Sequence, residues 1–203
     1  MLTVAKLVEA VTSIDAGISA IRDELNAADR RLGDGDTGMT VAQVVAAWSR
    51  VTASLPSDVG TALLNLGSET SRASGSSLSA VLAMFLSTAG RSVLGKQALS
   101  RSDIVMALSK AIKAVCERSG AAAGDKCVID SLLAIERHLH STDDSANLLT
   151  EAVKASQVCL LEFRDRESKL GRARMYGAKS IGHDDPGMLA VVRLLSYSQG
   201  KTG

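Results

Sequence analysis

The 203-residue sequence predicts an all-α fold of about eight antiparallel helices, packed as a single bundle or helical barrel. Two observations carry this. Apolar residues recur at three- and four-residue steps along almost the whole chain, and the connections between the resulting stripes are short and polar.

Val4, Leu7, Val8, Val11, Ile14, Ile18, Ile21 and Leu25 fall on one face of a long first helix, and nothing in that stretch alternates as a strand would. Val41, Val44, Val45, Trp48 and Val51 form a second stripe that stops near Leu55 and Pro56, because proline bars continuation of a helix. Asp58 is placed to cap a third. Leu78, Val81, Leu82 and Phe85 make a buried stripe after a Ser/Gly-rich loop. Ile104, Val105, Leu108, Ile112 and Val115 make another, behind a cap with an acidic first turn at residues 100–103. Residues 126–138, 145–169 and 188–198 read as three more helices, the last opened by Asp185 as cap and Pro186 at its first position.

Composition narrows the function classes. A content of 46% hydrophobic residues suits one domain spanning 1–203, and no internal repeat, low-complexity segment or linker divides it. With 23 Lys+Arg against 22 Asp+Glu and no basic run, nucleic acid is not an expected partner. Aromatic residues, at 2%, are too few for base-stacking platforms. The apolar stretch 78–86 is interrupted by Ser79 and is far shorter than a membrane span, and the first residues follow a helical period rather than a signal-peptide pattern. Cys116, Cys127 and Cys159 are odd in number and widely spaced, as expected of buried thiols in a reducing compartment. These features together read as a soluble, cytoplasmic protein.

The chemistry concentrates where the first stripe ends. Residues 29–40 read Asp-Arg-Arg-Leu-Gly-Asp-Gly-Asp-Thr-Gly-Met-Thr, so Asp29, Asp34 and Asp36 follow the spacing D-x4-D-x-D among three glycines. Three carboxylates so close need a cation to offset their repulsion, and an all-oxygen set suits magnesium held together with phosphate. The glycines leave amide N–H groups uncovered where a phosphate could be cradled. A solvated surface turn uses the same residue types, so this stretch alone leaves both readings open. An EF-hand loop is excluded, because its twelfth position from Asp34 is Val45, and the P-loop pattern is absent.

Three further segments follow in order. They are Arg72-Ala73-Ser74-Gly75, then Gly124-Asp125-Lys126, then Gly171-Arg172-Ala173 with Ser180-Ile181-Gly182-His183-Asp184-Asp185-Pro186-Gly187. Singly each is weak. As an ordered set reaching from residue 29 to residue 187, they make the chain resemble the L subunit, or nucleotide-binding domain, of dihydroxyacetone kinases. The resemblance implies an eight-helix barrel with nucleotide at one end.

It also implies a site. Asp29, Asp34 and Asp36 correspond to the family's metal ligands, with two Mg2+ ions bridging the phosphates of ATP or ADP. Thr37, Gly38, Met39 and Thr40 would supply hydroxyl and amide donors, and Ala73 and Ser74 fall on the phosphate-contacting loop. Arg172 and the segment Asp185, Pro186 and Gly187 would meet the nucleotide, while Gly120 and Val128 lie near the positions that border the adenine. Two departures bear on this geometry: Arg72 stands where the family has glycine, and Ser79 replaces a second glycine. His183, in a turn, reads as structural, and His138 and His140 diverge on a helix and form no metal pair.

Phosphoryl transfer to a short ketose is the implied reaction, with dihydroxyacetone and four-carbon ketoses such as erythrulose as candidate acceptors. The family binds the sugar on a separate K subunit, so the chain is expected to be half of an enzyme. In one branch ATP is consumed; in the other ADP stays bound and a phosphotransferase-system protein recharges it. Thr37 and Thr40 are closer to the ATP-using form, since the other often has His and Asn there. The competing class is a nucleotide-loaded binding or regulatory module without catalysis of its own.

Overall fold

The computed structural model describes residues 1–143 and 146–200. Among them nine α-helices run in chain order: α1 Val4–Ala16, α2 Ile18–Leu32, α3 Thr37–Val51, α4 Val59–Ala73, α5 Ser77–Ser92, α6 Arg101–Ser119, α7 Val128–Ser141, α8 Leu148–Arg164 and α9 Pro186–Ser198. The expected all-α class holds. One long first helix was expected, and the structure instead breaks it at Gly17 (φ −98°, ψ 2°). The cause is tertiary: a Cβ at residue 17 would lie 2.0 Å from the ring of Tyr197, so α9 crosses directly over the break.

Counting α1 and α2 as one bent rod, eight rods close into a ring. Each of α3 to α9 packs on its chain neighbours, and α9 returns to α1 and α2. Arg193 on α9 grips Glu24 on α2 through Nε and Nη2, both at 2.5 Å, and fastens this last seam. The largest core cluster lies inside the ring, where Ile21, Leu25, Val45, Trp48, Phe163 and Met188 meet. Trp48 Nε1 donates to Leu66 O and to Thr70 Oγ1, tying α3 to α4 without leaving a buried donor unpaired. A two-residue antiparallel ladder, β1 Leu2–Thr3 with β2 Ala98–Leu99, seals the outside near the start of α6, an element too short to carry a periodic signal.

Helix starts follow the sequence. Asp58 Oδ1 accepts from the Gly60 and Thr61 amides, Ser100 and Asp103 form a reciprocal capping box, and Asp185 accepts from the Met188 amide with Pro186 at the first position. The expected segment 145–169 becomes α8 plus a non-helical stretch; its first residue lies outside the described residues. The three cysteines are free, and burial pushes the thiol of Cys127 up to about 12 and that of Cys159 up to about 11. Both are therefore unreactive packing residues. No helix among the described residues is long and apolar enough to cross a membrane.

Helices α4 and α5 meet backbone to backbone. A Cβ at Gly90 would sit 2.7 Å from Gly60 O, and one at Gly60 would sit 2.7 Å from the Leu94 backbone. Gly90→Ala should therefore cost about 1–3 kcal/mol by forcing the helices apart. Gly75→Ala, with nothing within 4 Å of the new Cβ, should stay within about 0.5 kcal/mol of the parent. Urea unfolding of both variants checks this; equal effects would mean that the seam is not set by steric contact.

Candidate functional site

α3, α5, α7 and α9 all begin at the same end of the ring. Thr40, Ser79, Val128 and Gly187, each in the first turn of one of these helices, line a single cavity of about 100 Å³ that continues inward past Val45, Trp48 and Phe85. Four helices start at this mouth, and the cavity behind it is walled by apolar side chains such as Val41, Val44, Leu82 and Leu132.

The acidic loop joins α2 to α3 at this end. Asp29, Asp34 and Asp36 each offer an oxygen, all within 4.8 Å of one another; Asp29 is buried and the other two are exposed. Asp29 Oδ2 accepts from the Asp36 amide at 2.9 Å and the Thr37 amide at 3.1 Å. Its Oδ1 sits against Gly33, where a Cβ would come within 2.2 Å, so the glycine leaves that oxygen clear. The donor set is all oxygen, converges, and carries charge that a divalent ion would neutralise, so these residues fit magnesium.

The amides of residues 37–40, expected as donors to nucleotide, have partners within the chain. Thr37 N–H donates to Asp29, the Gly38 and Met39 amides donate to Asn26 Oδ1 at 2.8 and 3.2 Å, and Thr40 N–H donates to Asp36 O. The donors that this segment offers are the hydroxyls of Thr37 and Thr40. Gly38 is needed for packing, because a Cβ there would meet Arg22 O at 2.1 Å.

The other expected residues reach the same end with differing roles. Ala73 ends α4, and Ser74 follows in extended conformation. Ser79 Oγ donates toward Ser74 O and Ser76 O and so braces that loop. Arg72 turns to Glu69 on its own helix at 2.6 Å and is largely exposed, and so it does not narrow the mouth. Gly120 closes α6 in the left-handed region (φ 71°), its N–H on Cys116 O. Val128 opens α7 and lies beside Gly187. Arg172 pairs through Nη1 with Asp34 Oδ2, which brings it into the acidic cluster itself. His138 bonds Glu151 at 2.8 Å, away from His140 and any metal geometry.

Sequence reasoning gave Lys126 no role. It is buried, at φ 58°, with Nζ donating to the carbonyls of Arg164 (3.0 Å), Arg166 (2.8 Å) and Ser180 (2.8 Å). The ammonium thus ties the end of α8 to the loop that carries Arg172 and Asp185; desolvation lowers its pKa, opposed chiefly by Asp185 and Asp184. Asn26 was missed as well. The only available signal was its position three residues before Asp29, on the same helix face.

A family model described as the DAK2 domain matches residues 31–199. The chain belongs to the DAK2 domain family. This DAK2 domain is 28% identical over 182 residues to the human triokinase/FMN cyclase, covering 86% of this chain and 31% of that protein. It is 30% identical over 199 residues to the dihydroxyacetone kinase of Citrobacter freundii, covering 91% of this chain and 32% of that one. Against the ADP-binding subunit DhaL of the PEP-dependent dihydroxyacetone kinase of Escherichia coli K12, identity is 24% over 185 residues, with 84% of each chain covered. The chain thus spans about a third of the first two relatives and most of the third. Crystal structures of the C. freundii kinase, native and in complex with AMP-PNP and Mg2+, share the fold with TM-scores of 0.76 and 0.75 at 24% identity, covering 96% and 97% of this chain and 34% of that one. The matched family region begins just after Asp29, whose place in the cluster rests on the geometry above.

One carboxyl at the mouth of this DAK2 domain is strongly perturbed. Burial raises Asp185 from 3.8 to about 6, against the opposing pull of the Met188 and Gly187 amides and of Lys126. A raised acid keeps its proton longer when folded, so its contribution to stability is complete below about 3.8 and is lost as pH rises through about 6. Asp185→Asn preserves the cap and removes the titration. The variant should show a flatter fall in stability between those pH values, by about 3 kcal/mol at most; an unchanged slope in urea titrations would show that Asp185 ionises normally.

Proposed function

We propose that this DAK2 domain is the nucleotide-carrying half of a kinase that phosphorylates dihydroxyacetone or a related short ketose such as erythrulose. The carrying observation is the convergence of Asp29, Asp34 and Asp36 at the end of the ring where four helices begin. The reading is supported by relatives named as a dihydroxyacetone kinase subunit that binds ADP and as an L-erythrulose 1-kinase of Mycolicibacterium smegmatis, and by the neighbour solved with AMP-PNP and Mg2+.

In this reading the three aspartates hold Mg2+, two ions in all, which neutralise charge on the phosphates of ATP or ADP. Thr37 and Thr40 donate hydroxyl hydrogen bonds, Ser74 and the start of α9 at Asp185, Pro186 and Gly187 flank the phosphates, and Arg172 adds a guanidinium for them. Gly120 and Val128 border the base. Catalysis then rests on positioning and charge neutralisation, with no covalent step assigned to the chain. Among the described residues none at the mouth is recognisable as a grip for a small ketose, so in this reading the acceptor comes on a ketose-binding K subunit docked there. Thr37 and Thr40 favour consumed ATP over ADP recharged by a phosphotransferase-system protein, and the reaction belongs in the cytoplasm.

Thermal melting tests the site. With nucleotide at a hundredfold excess over its dissociation constant, Mg2+ and ADP or ATP together should raise the melting temperature by about 5–10 °C. Nucleotide in excess chelator should do little, because the acidic cluster repels phosphate. Asp34→Asn or Asp36→Asn should abolish the shift while leaving the unliganded chain as stable or more so. Equal stabilisation with chelator, or by both variants, would overturn the metal assignment.

Coupled assays separate the kinase half from a regulatory module. Alone, the chain should bind nucleotide yet leave dihydroxyacetone and erythrulose unphosphorylated, and activity should appear on adding a cognate K subunit. Robust turnover by the isolated chain would refute the half-enzyme reading, and none with any K subunit would favour the regulatory one.

A further inference from the structure

We propose that Asn26 is a positioning residue that caps α3 from outside, and so releases the carboxylate of Asp36 for the metal. The inference rests on the metal reading of the acidic cluster. Asp36 occupies the residue position just before α3, where an aspartate ordinarily turns back to accept the second and third amides of its helix. Two other aspartates in this chain do so. Asp58 before α4 (φ −78°, ψ 119°) and Asp185 before α9 (φ −70°, ψ 129°) are extended, and each caps its own helix.

Asp36 departs from both. Its backbone lies at φ −110°, ψ −3° and its side chain makes no capping bond. The second and third amides of α3, those of Gly38 and Met39, are instead taken by Asn26 Oδ1, one oxygen serving both at 2.8 and 3.2 Å. That oxygen can reach only because Gly38 lets α3 start in contact with α2; a Cβ there would stand 2.7 Å from Asn26 Oδ1. The remaining two amides at this start, those of Asp36 and Thr37, go to Asp29 Oδ2. Every demand that would draw the Asp36 carboxylate back to the backbone is therefore met from α2. A neutral amide suits the task, since a fourth carboxylate would add to the repulsion within the cluster.

The test is a double-mutant cycle on the full chain with Asn26→Ala and Asp36→Ala, with Asn26→Asp as the conservative variant. Bound Mn2+ is counted by electron paramagnetic resonance in the presence of ADP. Without the external cap, Asp36 turns back to α3, and Asn26→Ala should weaken Mn2+ binding at least tenfold. Asn26→Asp, which keeps the acceptor, should stay within a few-fold of the parent or bind more tightly. Melting temperatures without metal give the readout that a purely structural role would not move. In the parent, Asp36→Ala should not lower the melting temperature, because Asp36 caps nothing. In the Asn26→Ala background it should lower it by about 2–4 °C, as loss of a cap does.

The proposal is overturned if Asn26→Ala binds Mn2+ as tightly as the parent. It is equally overturned if Asp36→Ala has the same thermal effect in both backgrounds, or if Asn26→Asp loses as much affinity as Asn26→Ala. Failure of the parent to bind Mn2+ with ADP would refute the metal reading and this inference together, which distinguishes the two failures.

Discussion

The backbone amides at the start of α3 have no partners within their own helix, and how they are satisfied decides the rest of the site. Asp29 and Asn26, both on α2, accept all four donors from Asp36 to Met39. That lashing holds the loop 33–36 closed against the end of α2, so that three mutually repelling carboxylates stand together when each alone would relax toward solvent. The same bonds absorb the positive end of α3. In the proposed reading, phosphate at this end would therefore be met by metal, hydroxyls and Arg172 rather than by a bare amide nest, unlike the glycine-rich loops that cradle phosphate with free backbone N–H groups.

A second fastening serves the opposite wall. Lys126 carries its ammonium into the interior, where three backbone carbonyls replace water around it. Those carbonyls belong to the end of α8 and to residue 180, so one side chain sets the path of the loop 165–182. Arg164 reinforces it by a two-pronged pair with Asp184, both contacts at 2.8 Å. The loop's path in turn puts Arg172 on Asp34 and Asp185 at the head of α9. Two groups that lie far apart in sequence are thereby brought to one mouth, and the acidic cluster gains a counter-charge from the chain itself.

Local signals were legible in the sequence, and those that depend on a distant partner were not. The starts of α4, α6 and α9 could be read from Asp58, from Ser100 with Asp103, and from Asp185 with Pro186, because capping needs only neighbours within a turn. The break at Gly17 could not, since a glycine within an apolar stripe is tolerated in a helix, and the cause here is Tyr197 from the far end of the chain. The three aspartates announced themselves by type and spacing. Asn26 did not, because an asparagine on a helix face is unremarkable until the amides that it serves are seen. The partners of the amides of residues 37–39 were not legible for the same reason: a glycine-rich turn shows that donors are uncovered by side chains, and not whether a neighbouring helix has already taken them. Lys126 stood within a recognised motif, yet its three carbonyl partners come from residues that only the closed ring brings near.

The central claim is that Asp29, Asp34 and Asp36 act together as one metal site at the nucleotide end of the ring. Its most direct test is the crystal structure of the chain grown with Mn2+ and ADP, with the ions located by anomalous scattering. The account predicts manganese within bonding distance of all three carboxylates and in contact with the ADP phosphates, with the Arg172 guanidinium drawn off Asp34. Manganese bound elsewhere, or ADP seated at the mouth with Arg172 still on Asp34 and no ion among the aspartates, would contradict it.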